Sequence, residues 1–106
     1  MSAESLSFTA RLLAWQTGHY GELCYVLIDG EAAEAISSHE LMRRLETGRR
    51  RGFGSVKLEV AVGGSRWSTS AFPLSGGGWF LPIKKAVRNA EGLSVGDMVT
   101  VTLDLK

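Results

Sequence analysis

The chain is short of the residues that fasten small proteins from outside their core. One cysteine in 106 residues excludes an internal disulfide and a cysteine-rich zinc site, so hydrophobic packing must replace covalent or metal staples. His19 and His39 stand alone in sequence, with no His–acid spacing that matches a metal site, and neither metal nor cofactor is expected. Charge of one sign is also scarce. A formal net charge of +1 is far from the strongly basic balance that makes nucleic-acid binding a default expectation, so any cationic site must be local. No apolar run approaches the ~20 residues of a membrane helix. The opening MSAESLSF carries an acid where a secretory signal places basic residues. A cytoplasmic protein with no membrane partner is the expectation.

What remains is ordinary globular material. Hydrophobic residues make up 44% and charged residues 22%, outside the apolar-poor range of disorder. A chain of this size buries roughly two-thirds of the surface that its unfolded form exposes, which suits one core and a single domain over residues 1–106.

Periodicity divides the chain into strands and two helices. Phe8, Ala10, Leu12 and Ala14 alternate with Thr9, Arg11, Leu13 and Trp15, marking one strand that ends near Trp15. Leu23–Ile28 runs continuously apolar, the pattern of a central strand covered on both faces. Asp29-Gly30 ends it and a helical region follows, in which Ser37 and Glu40 have capping-box spacing and set a helix start at Ser38. Ser38, Leu41, Met42 and Leu45 share one stripe of that helix, and Gly48 offers its stop.

Val56, Leu58, Val60 and Val62 form a strand that turns at Gly63-Gly64, where positive φ angles are expected. A turn that short sets Val60 against Trp67, Leu58 against Thr69 and Val56 against Ala71, with Trp67 facing the core. Pro73 ends the returning strand. After a short strand at Trp79–Leu81, Pro82 opens a helix with Ile83, Ala86, Val87 and Ala90 on one face, and Gly92 stops it. Val99, Val101, Leu103 and Leu105 mark the last strand.

The segments GSVKLEVAVGG from Gly54, RWSTSAFP from Arg66, GWFLPIKKAVRNAEG from Gly78 and VGDMVTVTLDL from Val95 resemble a bacterial family, the domain of unknown function 1905. The resemblance covers nearly the whole chain. It implies a mainly β fold with two helices: a six-stranded double-split β-barrel, or pseudobarrel, capped by α-helices and similar to that of some small DNA-binding regulators and antitoxins. It implies no activity and supplies no catalytic residues. Some relatives carry a second, helical domain, and none is expected in this chain. Its first helix is longer than in shorter relatives, and the loop Arg49-Arg50-Arg51 is a further departure.

The charge pattern of the second helix breaks a local rule. Lys84 and Lys85 occupy its first turn and Glu91 its last, each opposing the helix dipole by about 0.3 to 1 kcal/mol. Lys84 and Lys85 lie four and three residues before Arg88, so the three cations can gather near free backbone amides. Pairing with acids on a neighbouring strand explains them, and so does a small anionic ligand held by Lys84, Lys85 and Arg88 with Trp79 covering its apolar part.

Arg49, Arg50 and Arg51 form a solvated loop or contact a phosphate backbone in a regulator-like dimer. Gly76-Gly77-Gly78 is a turn rather than a phosphate loop, because a strand separates it from the helix. Cys24 is apolar filler in mid-strand. Ser68, Thr69 and Ser70 have no base beside them in sequence, and the expectation is a non-catalytic binding module. A third reading is an interaction domain for a separate helical protein, which calls for an exposed apolar patch.

Overall fold

The computed structural model describes residues 4–19, 21–48 and 54–105. The elements are β1 (Glu4–Arg11), β2 (Leu13–Gln16), β3 (Glu22–Ile28), α1 (Gly30–Thr47), β4 (Val56–Val62), β5 (Ser65–Pro73), β6 (Trp79–Pro82), α2 (Lys85–Glu91) and β7 (Met98–Leu105). All strand pairs are antiparallel, in the order β1-β7-β4-β5-β6-β3-β2. The result is a mainly β molecule, a curled half-barrel sheet with two helices.

The β4–β5 hairpin has the expected register, Val60 against Trp67, Leu58 against Thr69 and Val56 against Ala71. Its turn differs in detail. Gly63 alone takes a positive φ, 57°, the pattern of a type II′ turn rather than of one with two left-handed residues. Trp67 is half-buried against the core, and Val56, Leu58, Val60 and Val62 are buried. Val99, Val101, Leu103 and Leu105 complete that wall from β7.

The expected first strand is two strands. The chain bends at the fully buried Leu12, whose N–H donates to the Asp97 carbonyl and whose carbonyl accepts from the Gly96 N–H, both at 2.8 Å. Before the bend β1 pairs with β7, and after it β2 pairs with β3. Period-two alternation runs through the bend, so the pattern could not disclose that the partner changes. Counted as one bent segment, β1 and β2 reduce the seven strands to the six of the expected barrel.

β3 corrects a second expectation. Cys24, Val26 and Ile28 are buried, but Leu23 and Tyr25 are half-buried and Leu27 is exposed. One face of β3 is covered, not both, and the strand lies next to β2 at the end of the pairing order.

Both helices begin elsewhere than expected. α1 starts at Gly30 behind the N-cap Asp29, eight residues before Ser38, because Glu31–Ile36 is rich in Ala and Glu, which favour helix. Ser37 is therefore interior to α1. Ala33 and Ile36 anchor the helix in the core, whereas Leu41, Met42 and Leu45 are exposed rather than packed. Pro82 ends β6 by pairing opposite Tyr25, and α2 begins at Lys85. Val87 is its buried residue, while Ala86 and Ala90 face outward. Gly48 and Gly92 close the two helices in the left-handed region, as their sequence positions suggested.

Candidate functional site: an apolar sheet face and a cationic helix start

α1 and α2 attach at opposite ends of β3 and β6. At the Ile28 end, Trp79 is buried, and its Nε1–H donates to the Ala33 carbonyl at 3.2 Å and to Ser37 Oγ at 3.1 Å. Trp79 therefore pins α1 to the barrel. The expected ligand-covering role asks for an open ring, whereas here the ring is buried and its N–H is engaged.

At the other end, α2 carries the expected cations. Arg88 Nη1 lies 3.9 Å from Glu22 Oε1, and the Arg88 side chain is only 19% exposed. Lys84 Nζ sits over the Trp67 ring, 6.0 Å from its centroid, a cation–π geometry that draws the ammonium toward the barrel. Lys84 and Lys85 are exposed. Glu91 is placed against the dipole of α2 because it serves the hairpin. Its carboxylate accepts from Ser65 Oγ–H at 2.6 Å and from the Gly64 N–H at 3.3 Å. Tertiary contacts thus account for Glu91, whereas Arg88, though near Glu22, keeps a buried Nε with no hydrogen-bond partner. Arg49, Arg50 and Arg51, the expected nucleic-acid contacts, lie outside the described residues.

Cys24 is buried under the same end, its Sγ 3.8 Å from Glu22 Oε1. Burial pushes the thiol pKa up, the Arg88 charge pulls it down, and Glu22 raises it again through charge and hydrogen bonding. A protonated, enclosed thiol is a packing residue, not a nucleophile.

Asp97 accepts from the Ser94 N–H at 2.8 Å, and the turn it shapes feeds β7. Among the described residues, no group of three or more His, Cys, Asp or Glu could hold a metal ion, and no helix is long and apolar enough to cross a membrane.

The surface that sequence reasoning missed is the outer face of β2, β3, β6 and the end of β5. Register places Phe72, Phe80 and Leu27 side by side across three strands, with Pro82, Tyr25 and Leu13 in the next row and Leu23 beside Trp15 beyond it. Trp15 is 58%, Leu27 42% and Phe72 41% exposed. Tyr25 and Phe80 stack with centroids 4.7 Å apart at 26°, giving the row a rigid aromatic centre. The signal was present in the continuous apolar run of β3, which asks for cover on both faces and receives it on one.

The family model for a domain of unknown function, DUF1905, matches residues 8–103, from the middle of β1 into β7. The chain belongs to the DUF1905 family. A comparison with curated proteins finds no match. The DUF1905 match spans both the cationic helix start and the apolar face, and its description assigns a role to neither.

Proposed function

We propose that this DUF1905 barrel is a non-catalytic binding module that docks a helical protein partner on the outward face of β2, β3 and β6. The observation carrying this reading is the continuous row of Trp15, Tyr25, Leu27, Phe72 and Phe80 on the outside of the sheet. Scattered exposed apolar residues are normal, but a contiguous aromatic-rich patch marks an interaction site. An apolar sheet face is ordinarily covered by a layer of helices, and this face lacks one among the described residues. The lone buried thiol suits a reducing cytoplasm.

The small-anion reading rests on less. It keeps Lys84 and Lys85, whereas Arg88 is engaged by Glu22 and Trp79 by α1.

Affinity capture from the source cell's lysate, with bound proteins identified by mass spectrometry, tests the docking reading. The unaltered chain and a Lys84→Ala/Arg88→Ala variant should recover the same partner, and a folded Leu27→Glu/Phe72→Glu variant should lose it. The reverse pattern would overturn the docking reading and move the function to α2.

A further inference from the structure

The barrel wall opens between β1 and β3. β2 pairs with β3 no further than Tyr25, and at Leu12 the chain passes to Gly96 and Asp97. Beyond that point β1 pairs only with β7, while Val26, Leu27 and Ile28 have no strand on the side β2 has left, among the described residues. A half-open cleft of about 260 Å³ lies in this fork, with Phe8, Arg11, Leu13, Leu27 and Asp29 among its lining residues.

Two residues of opposite charge, Arg11 and Asp29, line this cleft, and no ion pair joins them. Arg11 Nη1–H donates to the Gly96 carbonyl at 2.8 Å, which fixes the guanidinium and leaves the Nε and Nη2 donors for a bidentate carboxylate. Asp29 is the N-cap of α1, yet its side chain makes no capping hydrogen bond. An N-cap aspartate ordinarily accepts from an amide of the first turn; here no such bond ties the carboxylate to the helix start, and its oxygens are open to another donor. Leu13, Leu27 and Phe8 supply an apolar wall beside the two charges.

We infer that the cleft binds a free apolar α-amino acid as its zwitterion. The carboxylate meets Arg11, the ammonium meets Asp29, and the side chain lies along Leu13, Leu27 and Phe8. One charge of each sign selects against anions, cations and neutral solutes alike. A volume below the ~300 Å³ at which drug-sized sites begin selects a small molecule. The unpaired edges of β1 and β3 offer backbone donors and acceptors to the same two charged groups. This inference does not rest on partner docking: the cleft shares Leu13 and Leu27 with the docking face and adds Arg11 and Asp29, which that face does not use.

The test is an amide-resolved NMR titration of the whole chain with L-leucine, beside N-acetylleucine, which lacks the ammonium, and leucinamide, which lacks the carboxylate. L-Leucine should give saturable shifts confined to residues 8–13 and 26–29, with a dissociation constant of about 1 mM or tighter. Each analogue should bind at least tenfold more weakly, and Arg11→Gln and Asp29→Asn should each reproduce that loss. No saturable shift with L-leucine would overturn the inference, as would equal binding of the analogues or unaltered binding by both variants. If a variant fails to fold, the analogue series on the unaltered chain decides the question.

Discussion

The two halves of the sheet have opposite outer faces. On the β1–β7–β4–β5 side, hydroxyls and charges satisfy one another. Ser7 Oγ lies 2.8 Å from Thr102 Oγ1 and Thr9 Oγ1 lies 3.2 Å from Thr100 Oγ1. Arg66 reaches both Glu59 at 3.7 Å and Asp104 at 3.5 Å. On the β6–β3–β2 side, with Phe72 at the end of β5 beside it, the same outward positions hold Phe80, Leu27, Tyr25 and Trp15. Strands of one small barrel share a core, so the core does not dictate this difference. A polar outer face is finished by cross-strand pairs, whereas an apolar one leaves surface in water until another molecule covers it. The contrast separates the face that ends the molecule from the face that continues it.

The strongest way to test that contrast is to damage what both halves share. Trp79→Ala removes a buried ring and should destabilise the chain by about 3–5 kcal/mol in urea unfolding. Trp79→Phe, which keeps an aromatic ring but deletes the bonds to Ala33 and Ser37, should cost about 1–2 kcal/mol. Gly78 comes next. It takes φ 83°, and a Cβ built there would stand 2.8 Å from the Ile28 carbonyl oxygen, so Gly78→Ala forces the backbone of β3 and β6 apart. A loss of about 1–3 kcal/mol is expected.

Leu27→Glu with Phe72→Glu should then leave urea stability within about 0.5 kcal/mol per site, because both positions face water, while abolishing partner capture. Charges placed at Ser7 and Thr102 should do the opposite, lowering stability slightly and sparing capture. Equal behaviour of the two pairs would erase the distinction between the faces.

Smaller effects sharpen it further. The folded-state pKa of Cys24 is raised above its unfolded value, so its contribution is fully present below about pH 8.5 and is lost as pH rises from there through the folded value. The stability difference between the unaltered chain and Cys24→Ala should therefore shrink in urea titrations from neutral to strongly alkaline pH. Arg66→Ala, on the polar face, should change stability by about 0–1 kcal/mol, with the effect fading at high salt.

Most of the barrel was legible because its strands alternate. Val56–Val62, Trp67 and Val99–Leu105 carry a period of two that fixes face and register together, and the glycines at 48 and 92 stop their helices where expected. The bend at Leu12 was not legible, since a strand that changes partners keeps its alternation. The start of α1 was obscured by Ser37 and Glu40, which have capping-box spacing but sit inside a helix that Ala33 and Ile36 anchor. Pro82 fits a helix opening and a strand end equally well, and its place opposite Tyr25 decides for the strand.

At the candidate sites, charges were visible but their tertiary partners were not. Nothing near Arg88 in sequence announces Glu22, and nothing near Trp79 announces Ala33. The apolar face was legible in principle from Leu23–Ile28, where the missing information was which cover would be absent.

The bond between Ser7 and Thr102 joins residues 95 positions apart, and every rung of the β1–β7 ladder spans a comparable length of chain. On the ribosome, β1 must wait for the chain to be made through β7 before its neighbour exists. Meanwhile the β4–β5 hairpin can form as soon as it emerges. High contact order of this kind slows folding and keeps the nascent barrel unzipped along one side, where a chaperone has time to engage it.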